Sequence, residues 1–512
     1  MGIIVRDVRG AAADAYDVIV IGGGIYGVMM LLEGTLRGQR VLLLEKNDFG
    51  SATSFNNFRI VHGGLRYLQS MNLRRFFESV EARRWFLRHF EALTKPLPCL
   101  MPLYGEGFKR PLMLRIALLM NHVFSLDRNR GVAPKNQLPI GGVRSPEESQ
   151  TFSSYIDKNG LLGCALWYDA SMIDSHRIII ETIRWACGAG GRALNYVHVD
   201  EVLSQRHHVA GVGVRDTLSG DSFEIRGQKV INAAGPWCVS FLTASERSAR
   251  PFFIKSIAWN ILFDRPAIST CALAMSSPKR KGQTYFVQSW NGKLFAGTGH
   301  AAVAQDRTDP MPTDGQLTAF IEEINSALPG LELSMDQIIR VLAGYLPVRE
   351  PESTQLTTQA CIVDHGQEGG LAGLFSVSGV KFTTAYDVAR KLFDRAGIDC
   401  RAESPMIKPD RKCSFIDQWD AAEALVEMAT MADLKHLVEE EAVVHLGDLL
   451  FRRMNLMDRP AWVLKHADEI GRRVFQWSEK EREWEVGMLK GWLHEGKWVV
   501  PDAPDLNTAY YH

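Results

Sequence analysis

Residues 16–45 read YDVIVIGGGIYGVMMLLEGTLRGQRVLLLE, and no other stretch constrains the fold as tightly. Residues 18–21 have the composition of a short buried β-strand, residues 25–36 that of an apolar helix, and residues 41–44 that of a second strand ending on Glu45. Between the first strand and the helix, Gly22, Gly24 and Gly27 give the spacing G-x-G-x-x-G. A βαβ unit with this spacing binds a dinucleotide. Gly22 allows the tight turn, Gly24 lets the backbone approach a pyrophosphate, and Gly27 lets the helix pack close to the sheet. The helix N-terminus at Ile25 presents free N–H groups and about half a unit of positive charge to the phosphates. Glu45 can accept hydrogen bonds from both hydroxyls of an unphosphorylated adenosine ribose. The plain alternative is a Gly-rich turn in an ordinary α/β domain.

The residues that follow favour FAD over NAD. Residues 48–54, DFGSATS, form a small polar segment able to fold over a pyrophosphate, with Thr53 and Ser54 supplying hydroxyls to the phosphates. Lys46 joins the cofactor residues beside Glu45, and the lack of a nearby arginine disfavours a 2′-phosphate and hence NADP. A second segment, residues 229–237, reads KVINAAGPW: a strand ending in small residues. There Ala233, Ala234 and Gly235 would let the backbone pass close to a cofactor, with Trp237 at the end of the segment. Val199, closing a strand expected over residues 193–199, is also assigned to the cofactor. No second G-x-G-x-x-G unit follows, so electrons must enter from a directly bound substrate.

With 512 residues the chain can form two or three domains. A net charge of −1 gives no electrostatic case for nucleic acid. The eight cysteines are scattered without a C-x-x-C pair, which points to reduced thiols in a cytoplasmic compartment and no metal site. The first residues lack a basic region followed by an apolar core, so no signal peptide is expected, and no run of 18 apolar residues would span a membrane. The expected fold is α/β: a Rossmann-like FAD-binding domain built from segments 14–95, 165–245 and 355–400. An inserted α+β substrate-binding lobe takes residues 96–164 and 246–354, and a C-terminal all-α domain takes residues 405–512. Ahead of the C-terminal domain, helices are expected over residues 73–90, 175–187 and 314–327. Strands are expected over 193–199, 209–215, 222–225, 229–232, 259–263, 284–287 and 294–298, the second and third forming a hairpin. Residues 1–15 read as a tail of low information and residues 126–150 as a surface excursion. Nothing in the sequence fixes the oligomeric state.

Residues 52–68, ATSFNNFRIVHGGLRYL, together with the opening βαβ unit, resemble the FAD-dependent respiratory glycerol-3-phosphate dehydrogenase family, within the larger group of D-amino-acid oxidase and sarcosine oxidase. GCALWYDASMID at 163–174, NAAGPW, the strand–turn–helix with VKFTT, and EEEAVVHLGDLLFRR at 439–453 follow in the family's order. HGGLRYL is the most specific piece. The resemblance implies hydride transfer from a substrate carbinol carbon to flavin N5, electrons leaving to a membrane quinone, and peripheral attachment at the cytoplasmic face of the inner membrane. It implies that His62, Gly63 and Gly64 line the isoalloxazine and that Arg66 and Tyr67 face the substrate, arginine being suited to two-pronged binding of phosphate or carboxylate. In residues 378–384 it implies that Gly379, Lys381, Phe382 and Thr383 meet the cofactor. Lys381 would also serve the substrate's anionic group or developing alkoxide, and the helix start behind it would stabilise charge on the flavin N1–C2=O edge. Plain alternatives are a packed histidine for His62, a surface ion pair for Arg66 and an exposed lysine for Lys381.

The chain departs from the family around the substrate. The family's A-G-x-R-P string reads AGYLP at 343–347, so Leu346 replaces an arginine, and a second family arginine falls near Gln359. K-G-S-H becomes Lys255-Ser256-Ile257-Ala258, which loses a histidine, and the Gly-Gly before the lysine is Gly379-Val380. Each lost arginine–phosphate contact removes about 1.5–3 kcal/mol, and two weaken phosphate affinity about a hundredfold or more. Arg349 is the candidate replacement. The expected substrate is a small hydroxyl-bearing anionic molecule, retuned from glycerol 3-phosphate. An amine or amino-acid oxidase using oxygen is the second reading. The third is a non-catalytic flavin protein whose tail docks a partner through Trp477, Trp484, Trp492 and Trp498, against the plainer reading of aromatic packing. Residues 108–129, FKRPLMLRIALLMNHVFSLDRN, suit either a helix lying on anionic lipid or a buried core helix, with Leu114→Glu the change that would break lipid contact.

Overall fold

Two mixed sheets organise the chain in a computed structural model that describes residues 2–105, 110–238, 253–276, 284–357, 359–401 and 431–494. The first sheet runs Cys361–Asp364, Leu374–Ser378, Ser222–Asn232, Ala15–Ile21, Val41–Leu44, Arg192–Leu194, with the hairpin Val197–Gln205/His208–Asp216 attached to Ser222–Asn232. Its central strands are parallel and read as continuous apolar runs because both faces are covered. Helices Ile25–Leu36, Ser175–Gly188 and Ala385–Arg395 pack on one face and the hairpin with helix Val8–Ala13 on the other. Ile21 pairs with both Leu44 and Asn232. The carboxyl ends of three strands therefore meet where such sheets bind ligands.

The second sheet has nine strands, in the order Ile338–Val348, Ile254–Pro266, Lys293–Ala302, Thr284–Trp290, Ala272–Ser276, Thr94–Pro102, Cys164–Met172, Ile60–Val61, with Gly142–Arg144 beside Cys164–Met172. One face buries Ile257, Trp259 and Ile261 against Phe320 and Ile324 of helix Asp314–Ala327. The other face closes over the first sheet's ligand end.

Several expected elements shift. The strand Cys164–Met172, expected in the nucleotide-binding part, pairs antiparallel with Thr94–Pro102 along its whole length, so it belongs to the second sheet, as does Ile60–Val61. The strands expected at 222–225 and 229–232 are one, Ser222–Asn232. Its first half pairs antiparallel with His208–Asp216 and its second half parallel with Ala15–Ile21, so change of partner, not a turn, separates them. The expected strand 193–199 breaks at Tyr196, which takes φ 55°. Residues 126–150 include the 3₁₀ turn Pro134–Asn136, strand Gly142–Arg144 and most of helix Pro146–Phe152, whose start Ser145 and Glu148 close as a capping box. The N-terminal tail is structured: Asp7 caps Val8–Ala13, and buried Ile4 bridges to Glu441.

The described C-terminal part is helical: Met431–Glu440, the π-helix Asp448–Arg453, Pro460–Val474 and Glu479–His494, around Leu446, Leu450, Val463 and Leu489. Trp477 stacks on Phe475 with ring centroids 3.9 Å apart, the packing reading of that aromatic set; Trp498 and the Trp492 side chain lie outside the described residues. Among the described residues no helix is long and apolar enough to cross a membrane.

Candidate functional site

A cavity of about 450 Å³ runs along the carboxyl ends of the first sheet and under the second. Its floor is the glycine turn. Gly22 takes φ 102°, which favours glycine, and a Cβ on Gly27 would lie 1.8 Å from the Gly22 carbonyl oxygen. Helix and turn are thus in contact with no room for a side chain. Gly24 is the N-cap of Ile25–Leu36 and brings no side chain of its own to the helix N-terminus; instead the Ile25 N–H donates to Ser54 Oγ at 3.0 Å. Glu45 accepts from the Gly23 N–H at 2.6 Å and the Asn47 N–H at 2.9 Å. Burial raises its carboxyl above the usual range, opposed by those hydrogen bonds. A bent glycine backbone, a helix N-terminus and a carboxylate at the second strand's end fit a dinucleotide with a free ribose.

Of the residues assigned to the cofactor from sequence, Gly22, Gly24, Ile25, Glu45, Lys46, Thr53, Ser54, Val199, Ala234, Gly235, Trp237, Gly379 and Phe382 line this cavity. Lys46 Nζ lies 4.4 Å over the Trp237 ring. Thr53 Oγ1 donates to the Tyr345 carbonyl at 3.3 Å, which ties its loop to the second sheet. Gly27, His62, Gly64, Lys381 and Thr383 are not part of the wall. Residues the sequence did not single out are. Asn56 Nδ2 donates to the Ala343 carbonyl (2.8 Å) and Asn260 Nδ2 to the Asn56 carbonyl (3.2 Å), stapling loop to sheet. Tyr26, inside the glycine motif, donates to the Lys381 carbonyl at 3.1 Å, and a Cβ on Gly379 would lie 2.1 Å from its hydroxyl. Burial pushes the Tyr26 hydroxyl up to about 12, so it stays a neutral donor.

Beyond the cavity wall, His62 follows the strand Ile60–Val61, and Gly64, at φ 85°, starts the short helix Leu65–Gln69. His62 Nδ1 lies 3.1 Å from Asp169 Oδ2. Asp169 also accepts from the Gly63 N–H (2.7 Å), Arg83 Nη1 (2.9 Å) and Trp167 Nε1 (3.3 Å). Burial would raise its carboxyl, but His62, Arg83 and the Gly63 N–H outweigh burial and hold it down at about 2. An ionised Asp169 can only accept, so His62 Nδ1 carries a proton and Nε2 is left as the acceptor. A Cβ on Gly63 would lie 1.9 Å from Arg83 Nη1, so the glycine pair is needed for this packing. The Tyr67 ring has Lys381 Nζ at 4.5 Å and Arg75 at 5.2 Å from its centroid, a small cationic cluster; Arg66 is exposed on the same helix. Asp169 and Arg83 were missed. The signal was a carboxylate inside an otherwise apolar strand, GCALWYDASM.

At the departures, Leu346 and Ala258 line the cavity, as does Val380. Arg349 and Gln359 are exposed and do not.

The sequence profile of the FAD dependent oxidoreductases matches residues 17–395. A glycerol-3-phosphate dehydrogenase of Synechocystis sp. is 29% identical over 405 residues, 76% of this chain and 71% of that protein. The mitochondrial glycerol-3-phosphate dehydrogenase of Arabidopsis thaliana is 26% identical over 420 residues, 79% of this chain and 64% of that protein. The crystal structure of the glycerol-3-phosphate dehydrogenase from Bacillus halodurans, complexed with FAD, superposes with a TM-score of 0.71 at 20% identity, covering 95% of this chain and 96% of the other. That last likeness is one of fold, and it extends through the C-terminal helices.

Proposed function

Because this chain belongs to the FAD-dependent oxidoreductase family, we propose that it oxidises a small hydroxyl-bearing anionic molecule of the glycerol 3-phosphate type. The observation that carries this reading is the His62–Asp169 pair beside the Tyr67–Lys381–Arg75 cluster. When bound, FAD supplies the acceptor for the hydride leaving the substrate's carbinol carbon. His62 Nε2 accepts the hydroxyl proton, and Asp169, ionised throughout, stabilises the imidazolium so formed. Lys381 and Arg66 hold the anionic end. Leu346, in the cavity wall, leaves the site one guanidinium short, so the chain binds phosphate more weakly than an arginine-bearing site would.

The electrons pass on to a quinone, reached from the cytoplasmic face of a membrane. Supporting this, helix Pro111–Phe124 buries Leu114 and Leu118 and leaves Leu112, Met113, Ile116, Leu119 and Val123 exposed, with Leu126 just beyond. Leu114, the position chosen from the sequence to break lipid contact, is on the buried face.

An anaerobic screen of polyol phosphates, hydroxy acids and amines tests the substrate class. Bleaching of the oxidised-flavin band by the first two groups and not by amines is expected. Bleaching by amines alone would replace the reading with amine oxidation. A low-millimolar or better KM for glycerol 3-phosphate would remove the retuning at Leu346.

A further inference from the structure

Position 258, where the resemblance implied a histidine, carries Ala258, but the pairing of the second sheet puts another imidazole beside it. His300 lies directly across from Ala258, on the neighbouring strand Lys293–Ala302. Residues opposite one another in an antiparallel pair project from the same face. On that face Ala258, Thr298, Gly344 and Leu346 line the cofactor cavity, His300 itself lying beyond the wall next to Ala258, while the alternate residues Ile257 and Trp259 enter the core under helix Asp314–Ala327.

The hydrogen bonds around His300 fix its tautomer. Ser256, wholly buried, donates its single hydroxyl proton to the Leu346 carbonyl at 3.0 Å. Its oxygen can then only accept from His300 Nε2, 2.8 Å away. The ring proton is therefore on Nε2, and Nδ1 presents a bare lone pair, for which no described residue supplies a partner. Burial lowers the basicity of this half-buried ring, which keeps it neutral near pH 7. A neutral imidazole with an open acceptor nitrogen suits a hydroxyl and offers nothing to a phosphate or carboxylate oxygen.

Resting on the substrate class proposed above, we infer that His300 is a specificity-determining residue whose Nδ1 accepts a hydrogen bond from a hydroxyl of the substrate other than the one oxidised. The site is then polarised. Lys381 and Arg66 take the anionic end, His62 the reacting hydroxyl, and His300, with apolar Leu346 beside it, the neutral hydroxylated end. The histidine absent from position 258 is thereby supplied from the adjacent strand, held by a serine two residues earlier on the first.

Two probes and three variants test this. The probes are sn-glycerol 3-phosphate and propane-1,2-diol 1-phosphate, which lacks the non-reacting hydroxyl. Rates of anaerobic flavin reduction give kcat/KM for each. The wild-type holoenzyme should prefer the first probe about tenfold, one decade being about 1.4 kcal/mol. In His300→Ala that preference should fall to about unity, through KM rather than kcat. Asn places its amide oxygen near the Nδ1 position and Gln reaches the Nε2 position, so His300→Asn should restore the preference and His300→Gln should not. A structural role through Ser256 predicts the reverse, with rescue by Gln, and that result overturns the inference. So does a preference unchanged in His300→Ala, or absent in the wild type. Failure of both probes to reduce the wild-type flavin sinks the substrate class itself and this inference with it. Unfolding midpoints of the three variants separate loss of contact from loss of fold.

Discussion

Asp169 accepts from four donors, and its neighbours show how one carboxylate can organise a site. It orients His62, holds buried Arg83 and pins the Gly63 N–H. Asp169→Asn should lower kcat by about 10²–10⁴, the span of a positioned proton acceptor, with KM nearly unchanged, as read by rapid anaerobic flavin reduction. Asp169 also gives a pH prediction. Its folded pKa of about 2 lies below the unfolded value of about 3.9. A depressed carboxyl contributes stability that is present above the unfolded value and lost as pH falls through the folded one. About 2–3 kcal/mol should therefore be lost progressively between about pH 5 and pH 1, most of it between about pH 4 and pH 2, and urea titrations at those last two pH values should show a smaller difference in Asp169→Asn. At this scale HGGLRYL could be read for its chemistry, because its residues are sequence neighbours. Asp169 could not be paired with His62, because 107 residues separate them.

Helix Pro111–Phe124 has two apolar faces, and periodicity alone does not say which one meets the protein. Packing against the second sheet settles that: Leu114 and Leu118 join Leu97, Cys99 and Trp167 in a core cluster, so the opposite face is left to solvent or lipid. Leu119→Glu should abolish flotation with anionic vesicles, through loss of about 1.5–3 kcal/mol of apolar burial per leucine, with an unchanged unfolding midpoint. Leu114→Glu should instead lower that midpoint, since it buries a charge among apolar side chains. Flotation unchanged in Leu119→Glu would rule out this helix as the lipid contact. The glycine turn makes the opposite case. Gly27 is limited by its own turn, and Gly27→Ala should empty the site of FAD, because the added carbon meets backbone, which cannot rotate away.

At the scale of the molecule, the C-terminal helices are joined to the nucleotide-binding part by buried ions. Asp48 sits between Arg452 and Arg453, both at 2.7 Å, and Glu441 accepts from Arg177 and Arg184. Burial opposes the charge on Asp48, but the two arginines hold its carboxyl well below the usual range. Such networks add little net stability over an apolar replacement, yet removing one member leaves the buried cluster one charge out of balance, at a cost of about 3–5 kcal/mol. Arg453→Met should therefore lower unfolding stability by about that amount in denaturant titration. It should also reduce the flavin-to-protein absorbance ratio, because Asp48 lies three residues beyond Glu45. Stability within about 1 kcal/mol of wild type would mean that the helices dock by apolar packing alone.

The amino-acid sequence by itself determined the βαβ unit, its cofactor and the helix boundaries at Ile25–Leu36 and Asp314–Ala327. Those features are settled by sterics, periodicity and capping among residues within a few turns of one another. Tertiary structure alone decided that Cys164–Met172 joins the second sheet, that Ser222–Asn232 changes partners midway, and that Ser256 meets His300, Asp169 meets His62 and Asp48 meets Arg453 across 44, 107 and 405 residues. Strand register and domain docking minimise a free energy summed over the whole chain, so no local stretch of sequence carries them.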